Sequence, residues 1–311
     1  MQHTGIVLIA APVHPVLTEG LVAGGYELRI AEDITPATAP ALIADCTGVV
    51  TSLRLKLDRA LIDSAPGLKW IGRMGSGMEI IDTEYARRKG IVCFSSPEGN
   101  SNAVAEHALG MLLTLIRRIA WSHREIQEGL WRREANRGIE LEGRTIGIIG
   151  FGHTGSAFAR KLQGFDVRIL AYDTNPDIVY PEYVKKASLS DIQQDAEVLS
   201  FHVPLAPDTR HYFNRAFAKA MQQPFFLLNT SRGSVVDLST ALEWLEAGRM
   251  LGMALDVLEP EPLAAMEENQ KNLLLRAAAT PGVILTPHIG GYSREAVFKM
   301  SRVLLEKIKK L

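Results

Sequence analysis

A glycine-rich turn near the middle of the chain constrains the fold more than any other feature. The stretch IIGFGHTGSAFARKL occupies residues 148–162 and sets Gly150, Gly152 and Gly155 at G-x-G-x-x-G spacing. A strand-like TIGII precedes it and a helix-like SAFARKL follows. In that context the first glycine permits a tight turn and the second lets the backbone approach a pyrophosphate. The third lets the helix pack close to the strand, and the helix N-terminus faces negative charge. Such a turn opens its own domain, so something independent must precede it.

A chain of 311 residues fits two hydrophobic cores. With 47% hydrophobic and 22% charged residues it has the makeup of an ordinary globular enzyme. A net charge of -1 leaves no basic excess for nucleic acid, so small-molecule partners are favoured. Cys46 and Cys93 stand alone, which predicts neither a disulfide framework nor a metal site and fits a reducing cytoplasm. The N-terminus lacks the basic flank of a signal peptide, and the apolar run ALGMLLTLI at residues 108–116 is too short for a membrane span.

Short Val/Ile-rich runs (GIVLIA, GVVTS, LKWIGRMG, GIVCFSS) alternate with helix-like segments through the first hundred residues, the pattern of βα units. From Asn100 to Trp131, apolar residues recur at helical spacing, which predicts one long connecting helix. A second βα series begins at RTIGIIG and continues through VRILAYD, AEVLSFHVP, PFFLLNTS, MLGMALDVL and GVILTPHI. The C-terminal segment carries Val297, Met300, Val303, Leu304 and Ile308 on one face, as a docked amphipathic helix does. The fold class is therefore α/β, with two Rossmann-like or flavodoxin-like doubly wound parallel-sheet domains and a cleft between them.

Asp173 ends the strand after the glycine turn, about where a ribose-binding acid is expected. Thr174 and Asn175 follow it, with no Arg or Lys for a 2′-phosphate, so NAD is favoured over NADP. Hydride transfer from a secondary alcohol needs a base, a cation for the substrate anion and a group that supports the base. Arg232 in LLNTSRGSVVD, Glu261 in ALDVLEPEPL and His288 in VILTPHIGG supply those types in turns at the carboxyl edge of the sheet.

With these segments in order, the sequence resembles the D-isomer-specific 2-hydroxyacid dehydrogenases, particularly the short phosphoglycerate dehydrogenase-like members. The likeness runs from GLKWIGRMGSGMEIID through GNSNAVAEHALGMLL, LEGRTIGIIGFGHTG and NTSRGSVVD to TPHIGG. It implies that Arg232 binds the substrate carboxylate and keto oxygen, that His288 moves the proton, and that Glu261 hydrogen-bonds the imidazole and favours its charged form. It implies that Asp256 lies beside the nicotinamide and that the Gly75, Ser76, Gly77 loop holds the substrate carboxylate. His153, where the family often has Arg, and Thr154 are expected next to the pyrophosphate. His202, Val203, Pro204, Thr209 and Thr230 are expected on the cofactor side, while His107 reads as a core histidine. No metal site is expected.

The resemblance also accounts for the mid-chain turn. The family builds its substrate domain from residues 1–98 plus 289–311 and inserts the NAD-binding domain, 99–288, between them. A hinge and a homodimer through the nucleotide domains, with residues 104–118 contributing, are implied as well. The selecting residues depart from the family pattern: Thr51-Ser52 replaces Arg-Ser, with Arg54 nearby, and Glu79-Ile80 replaces Asp-Asn. Ending at Leu311, the chain has no room for the extra regulatory domain of longer phosphoglycerate dehydrogenases, so serine feedback by that route is not expected. Three functions follow: a D-3-phosphoglycerate dehydrogenase-like enzyme of serine biosynthesis, a glyoxylate or hydroxypyruvate reductase, and an NAD-sensing corepressor-like binding protein.

Overall fold

Every strand pairing among the described residues is parallel. In the computed structural model these are residues 5–53 and 55–311. Arg54 lies outside them. The first sheet contains β1 (Gly5–Ala10), β2 (Tyr26–Ile30), β3 (Cys46–Thr51), β4 (Trp70–Arg73) and β5 (Val92–Ser95) in the order β2-β1-β3-β4-β5. The second contains β6 (Thr145–Ile149), β7 (Arg168–Tyr172), β8 (Val184–Lys186), β9 (Val198–Phe201), β10 (Phe225–Asn229), β11 (Met250–Leu255) and β12 (Val283–Leu285). Its order is β12-β11-β10-β9-β6-β7-β8, so the chain reverses direction across the sheet at β6, the first strand of the series. Ligands of such sheets bind outside the carboxyl ends of the strands at that switch point.

Alternation along each strand explains why both sheets are covered on both faces. In the second sheet Leu199, Phe201, Leu227, Met253 and Leu255 enter one core, while Ile146, Ile148, Val198, Leu228 and Ala254 enter the other. In the first sheet Leu8, Ala10, Val49 and Ile71 point to one side, and Val7, Ile9, Val50 and Trp70 to the other. The C-terminal helix Arg294–Ile308 covers that second side through Met300, Leu304, Leu305 and Ile308. Ser293 caps it by accepting from the Ala296 N–H at 3.0 Å.

The chain divides into two compact units, Met1–Ala103 with Gly291–Leu311, and Val104–Gly290. The division after Ala103 falls inside the helix Pro97–Ile116, a few residues beyond the 98/99 boundary expected from sequence. The early turns of that helix pack with the first unit: a Cβ on Gly99 would lie 2.5 Å from the Met300 backbone nitrogen. Ala105, Ala108, Met111, Leu112 and Leu115 enter the second unit's core.

The expected single helix from Asn100 to Trp131 is interrupted. Arg118 takes a left-handed conformation at φ 56, and a second helix runs from Ile119 to Gln127. The Ile116 carbonyl, which would accept the next helical bond, instead accepts from the Ile139 N–H at 3.1 Å. Two strands have weak sequence signals: YELRI at β2 mixes charge into a short run, and VKK at β8 is a three-residue edge.

Candidate active site

The glycine turn leaves β6, all of whose residues are buried, and opens the helix His153–Leu162. Gly150 has φ 90, and a Cβ there would lie 2.5 Å from the His202 carbonyl oxygen. A Cβ on Gly155 would lie 2.0 Å from the Gly150 carbonyl oxygen, so the helix can press against the turn only without a side chain. Gly152 faces open space, with nothing within 4 Å of its Cβ position. The helix begins at Gly152 with no side-chain cap, which leaves its first N–H groups available to an anion. His153 is exposed at that N-terminus and Thr154 is half-buried behind it.

Asp173 is tied directly into this turn. One carboxylate oxygen accepts from the Phe151 N–H at 2.6 Å and the other from the Asn175 N–H at 2.8 Å. The carboxylate is thereby fixed at the end of β7 with acceptor capacity left over.

At the ends of β9 and β10 the sequence expectations divide. The Thr209 hydroxyl accepts from the Ala206 N–H at 2.7 Å and donates to the Pro204 carbonyl at 2.6 Å, so it closes its own loop rather than pointing to a ligand. The His202 backbone lies against Gly150, but its ring turns into the core beside Phe158. There Nε2 is 2.8 Å from Ser200 Oγ, and Nδ1 is buried without a protein partner. Burial pushes this imidazole down to about 3, so it is a neutral core group; its contribution at the site is backbone, not ring. Val203 is half-buried and Pro204 exposed, with Val203 Cγ1 3.0 Å from the Gly150 Cβ position. Thr230, just past β10, holds a buried Oγ1 with no protein hydrogen-bond partner.

Arg232 follows in a turn held by Asn229, whose side chain accepts from the Ser231 N–H at 3.0 Å and the Ser231 hydroxyl at 2.7 Å and donates to the Arg232 carbonyl at 2.9 Å. The Arg232 guanidinium donates to the Ser231 carbonyl at 2.6 Å. A Cβ on the next residue, Gly233, would lie 1.9 Å from the Leu258 carbonyl oxygen, so this turn packs directly on the loop that carries Glu261. Glu261 accepts from the Leu258 N–H at 2.7 Å through Oε1 and meets His288 Nδ1 at 2.6 Å through Oε2. Nδ1–H therefore donates to the carboxylate, which leaves Nε2 as the nitrogen turned away from it.

His288 has φ 56, and its N–H donates to the Asp256 carbonyl at 2.7 Å. Asp256, only 2% exposed, accepts from the Ile289 N–H at 2.9 Å, the Gly290 N–H at 2.8 Å and the Thr286 hydroxyl at 2.6 Å. His107 Nε2 lies 3.3 Å from the same carboxylate. Burial pushes the Asp256 carboxyl up, but the donors from His107, Thr286, Ile289 and Gly290 together outweigh it and hold the group below the ordinary carboxylate range. Sequence reasoning missed Asn229, Thr286 and the engagement of His107; the polar strand-end position of Asn229 was the only signal available.

In the first unit, Gly75 leaves β4 with φ 139 and donates its N–H to Ser96 Oγ at 3.0 Å. Ser76 is exposed and Gly77 half-buried. Arg73 is buried beneath this turn, donating to the Met74 carbonyl, with Nη1 3.0 Å from the Gly75 Cβ position. No group of His, Cys, Asp or Glu suited to a metal ion occurs among the described residues, and no helix there is long and apolar enough to cross a membrane.

Two doubly wound sheets, a glycine turn with its acidic partner and an Arg/Glu/His set on adjacent strand-end loops define a nucleotide-binding α/β protein of the dehydrogenase type. The profile of the D-isomer specific 2-hydroxyacid dehydrogenase NAD binding domain matches residues 109–290. The chain is similar to hydroxypyruvate reductase of Thermotoga maritima, 34% identical over 269 residues that cover 86% of this chain and 85% of that protein. It is also similar to D-3-phosphoglycerate dehydrogenase of Archaeoglobus fulgidus, 30% identical over 304 residues, 97% of this chain and 56% of that protein. The chain thus spans about half the length of that relative. Among solved structures, D-lactate dehydrogenase of Aquifex aeolicus in complex with NAD and lactic acid aligns with TM-score 0.84 and 25% identity, covering 98% and 94% of the two chains. The protein belongs to the D-isomer specific 2-hydroxyacid dehydrogenase family, and the matched residues are that family's NAD-binding domain.

Proposed function

We propose that the protein is an NAD-dependent D-2-hydroxyacid dehydrogenase, with Arg232, Glu261 and His288 as its catalytic residues. The observation that carries this is the Glu261–His288 contact of 2.6 Å, in which a carboxylate on the loop packed against the Arg232 turn orients the imidazole. The residues present fit the cofactor. Gly150, Gly152 and Gly155 with the uncapped helix N-terminus, including His153 and Thr154, suit a pyrophosphate, and the fixed Asp173 carboxylate suits ribose hydroxyls. The orphaned Thr230 Oγ1 is a polar atom that a bound group satisfies. NAD, when bound, supplies the hydride acceptor in oxidation and, as NADH, the donor in reduction.

The chain's own residues do the rest. His288 Nε2 takes the hydroxyl proton during oxidation and returns it to the keto oxygen during reduction. Glu261 keeps Nδ1 protonated and stabilises the imidazolium formed when Nε2 is loaded. Arg232 binds the carboxylate and the oxygen at which charge develops, and the Gly75, Ser76, Gly77 turn, anchored by the Gly75 N–H on Ser96, offers the backbone N–H groups of Ser76 and Gly77 to the carboxylate. Asp256 holds the backbone around His288.

The substrate pair we favour is 3-phosphoglycerate and its keto acid, which gives the enzyme a role in serine synthesis. The likeness to D-3-phosphoglycerate dehydrogenase of Archaeoglobus fulgidus over 97% of this chain supports it. Thr51-Ser52 at the end of β3, in place of Arg-Ser, favours the second reading, reduction of hydroxypyruvate or glyoxylate. The deciding experiment is NADH oxidation with phosphohydroxypyruvate, hydroxypyruvate and glyoxylate side by side. A kcat/KM at least tenfold higher for the phosphorylated acid supports the first reading, and the reverse preference replaces it with the second. Turnover of no 2-keto acid, with NADH-dependent capture of a protein partner, replaces both with the corepressor-like reading. We further propose that the protein acts in the cytoplasm as a homodimer.

A further inference from the structure

Three residues far apart in sequence meet behind the His288 turn. His107, on the helix Pro97–Ile116, places Nε2 3.0 Å from Thr286 Oγ1 across 179 positions. Thr286 Oγ1 lies 2.6 Å from Asp256 Oδ1. A hydroxyl has one hydrogen, so a Thr286 that donates to the carboxylate receives from His107, which fixes the His107 proton on Nε2. The same carboxylate takes the N–H groups of Ile289 and Gly290 at 2.9 and 2.8 Å. The His288 N–H is held by the Asp256 carbonyl at 2.7 Å. Asp256 therefore grips the backbone on both sides of a non-glycine residue at φ 56, a conformation that needs outside support. The space is closed around this grip: a Cβ on Gly290 would lie 2.8 Å from Asp256 Oδ2 and 3.3 Å from His107 Cδ2.

We propose that His107 and Thr286 form a positioning relay that orients Asp256 and, through it, sets the left-handed turn that points His288 at the substrate. His107 touches no reacting atom in this arrangement; it acts through one N–H that faces the Thr286 hydroxyl at 3.0 Å and the Asp256 carboxylate at 3.3 Å. The proposal rests on the assignment of His288 as the proton carrier. Misplacing a reacting group by about 1 Å costs on the order of 100-fold in rate, so loss of the donor shows in kcat more than in cofactor binding.

The test compares His107→Leu, which removes the donor, with His107→Gln, whose amide restores an N–H near the Nε2 position, and Thr286→Val with Thr286→Ser. The expected result is a kcat roughly 10- to 100-fold lower in His107→Leu and Thr286→Val. NADH Kd should stay within about twofold of wild type, and at least half of the lost rate should return in His107→Gln and Thr286→Ser. Equal losses in His107→Leu and His107→Gln assign the residue to packing and overturn the relay, as does unchanged kcat in His107→Leu. The imidazole nitrogen resonances of His288 provide a readout without turnover: they should move in His107→Leu and return in His107→Gln. An inert wild type with that pattern refutes the dehydrogenase reading but keeps the relay, whereas unmoved resonances overturn the relay.

Discussion

At the scale of single residues the site is an arrangement of paired donors and acceptors, and each pairing has a kinetic signature. With Glu261 on Nδ1, His288 works through Nε2. His288→Asn should lower kcat by about 100- to 10,000-fold, the usual worth of a positioned proton carrier, with NADH Kd almost unchanged by fluorescence titration. Near-wild-type turnover in that variant would sink the assignment. Asp173 is held by two backbone N–H groups, so its removal costs both a ribose acceptor and the anchor of the glycine turn. Asp173→Ala should weaken NADH at least tenfold while NADPH, freed from a facing carboxylate, weakens less; an unchanged NADH Kd takes Asp173 away from the ribose. The placement of Arg232, Glu261 and His288 in neighbouring strand-end loops was legible in sequence because each sits in a short local motif. The His202 ring and the Thr209 hydroxyl were not, since strand-end position says where a backbone goes and only packing says where a side chain turns.

Secondary-structure elements reveal which constraints are steric. The helix His153–Leu162 approaches the glycine turn so closely that a methyl group on Gly155 meets a backbone oxygen, which cannot swing aside as a side-chain tip can. Gly155→Ala should destabilise by about 1–3 kcal/mol in chemical denaturation and weaken NADH binding with it. A stability equal to wild type would show that the helix can shift without cost. Beneath the same turn, the buried His202 ring has a folded-state value of about 3 against an ordinary 6.5. The unfolded chain therefore binds the proton first, and the stability this residue contributes is whole above about pH 6.5 and lost as pH falls toward 3. The loss reaches at most about 1.4 kcal/mol per pH unit. His202→Gln should flatten that acid limb between pH 7 and 5, and an identical limb in the variant refutes the cause. Alternating apolar runs made most strands legible in advance. The break at Arg118 was not, because the competing donor on Ile139 arrives from another part of the chain.

At the scale of the whole molecule, the surface of the second unit carries an apolar stretch that its own core leaves uncovered. Ile119, Ile126 and Trp131 are 54%, 53% and 79% exposed, and the helix Ile119–Gln127 buries none of its residues. Residues 104–118, by contrast, put Ala105, Ala108, Leu112 and Leu115 into the core of that unit. For the homodimer we propose, residues 119–131 offer more exposed apolar surface than the helix before them. Sedimentation should show a dimer that Ile126→Glu with Trp131→Glu converts to monomer; a dimer unaffected by both changes puts the contact elsewhere. The two-unit organisation was legible because a nucleotide turn in mid-chain demands an earlier core. The exact chain crossing was not, because a continuous helix runs through it.

The contact between His107 and Thr286 carries a topological consequence as well. Residues 179 positions apart are pinned 3.0 Å from each other, close to where the chain enters the second unit at Val104 and leaves it at Gly290. The second unit is thus a loop drawn shut at its neck, where the entering helix and the departing turn lie side by side. Chain inserted or excised at such a neck leaves ends that a short linker can rejoin. As chain topology, the NAD-binding domain is a closed loop whose two ends are tied together by its own hydrogen bond.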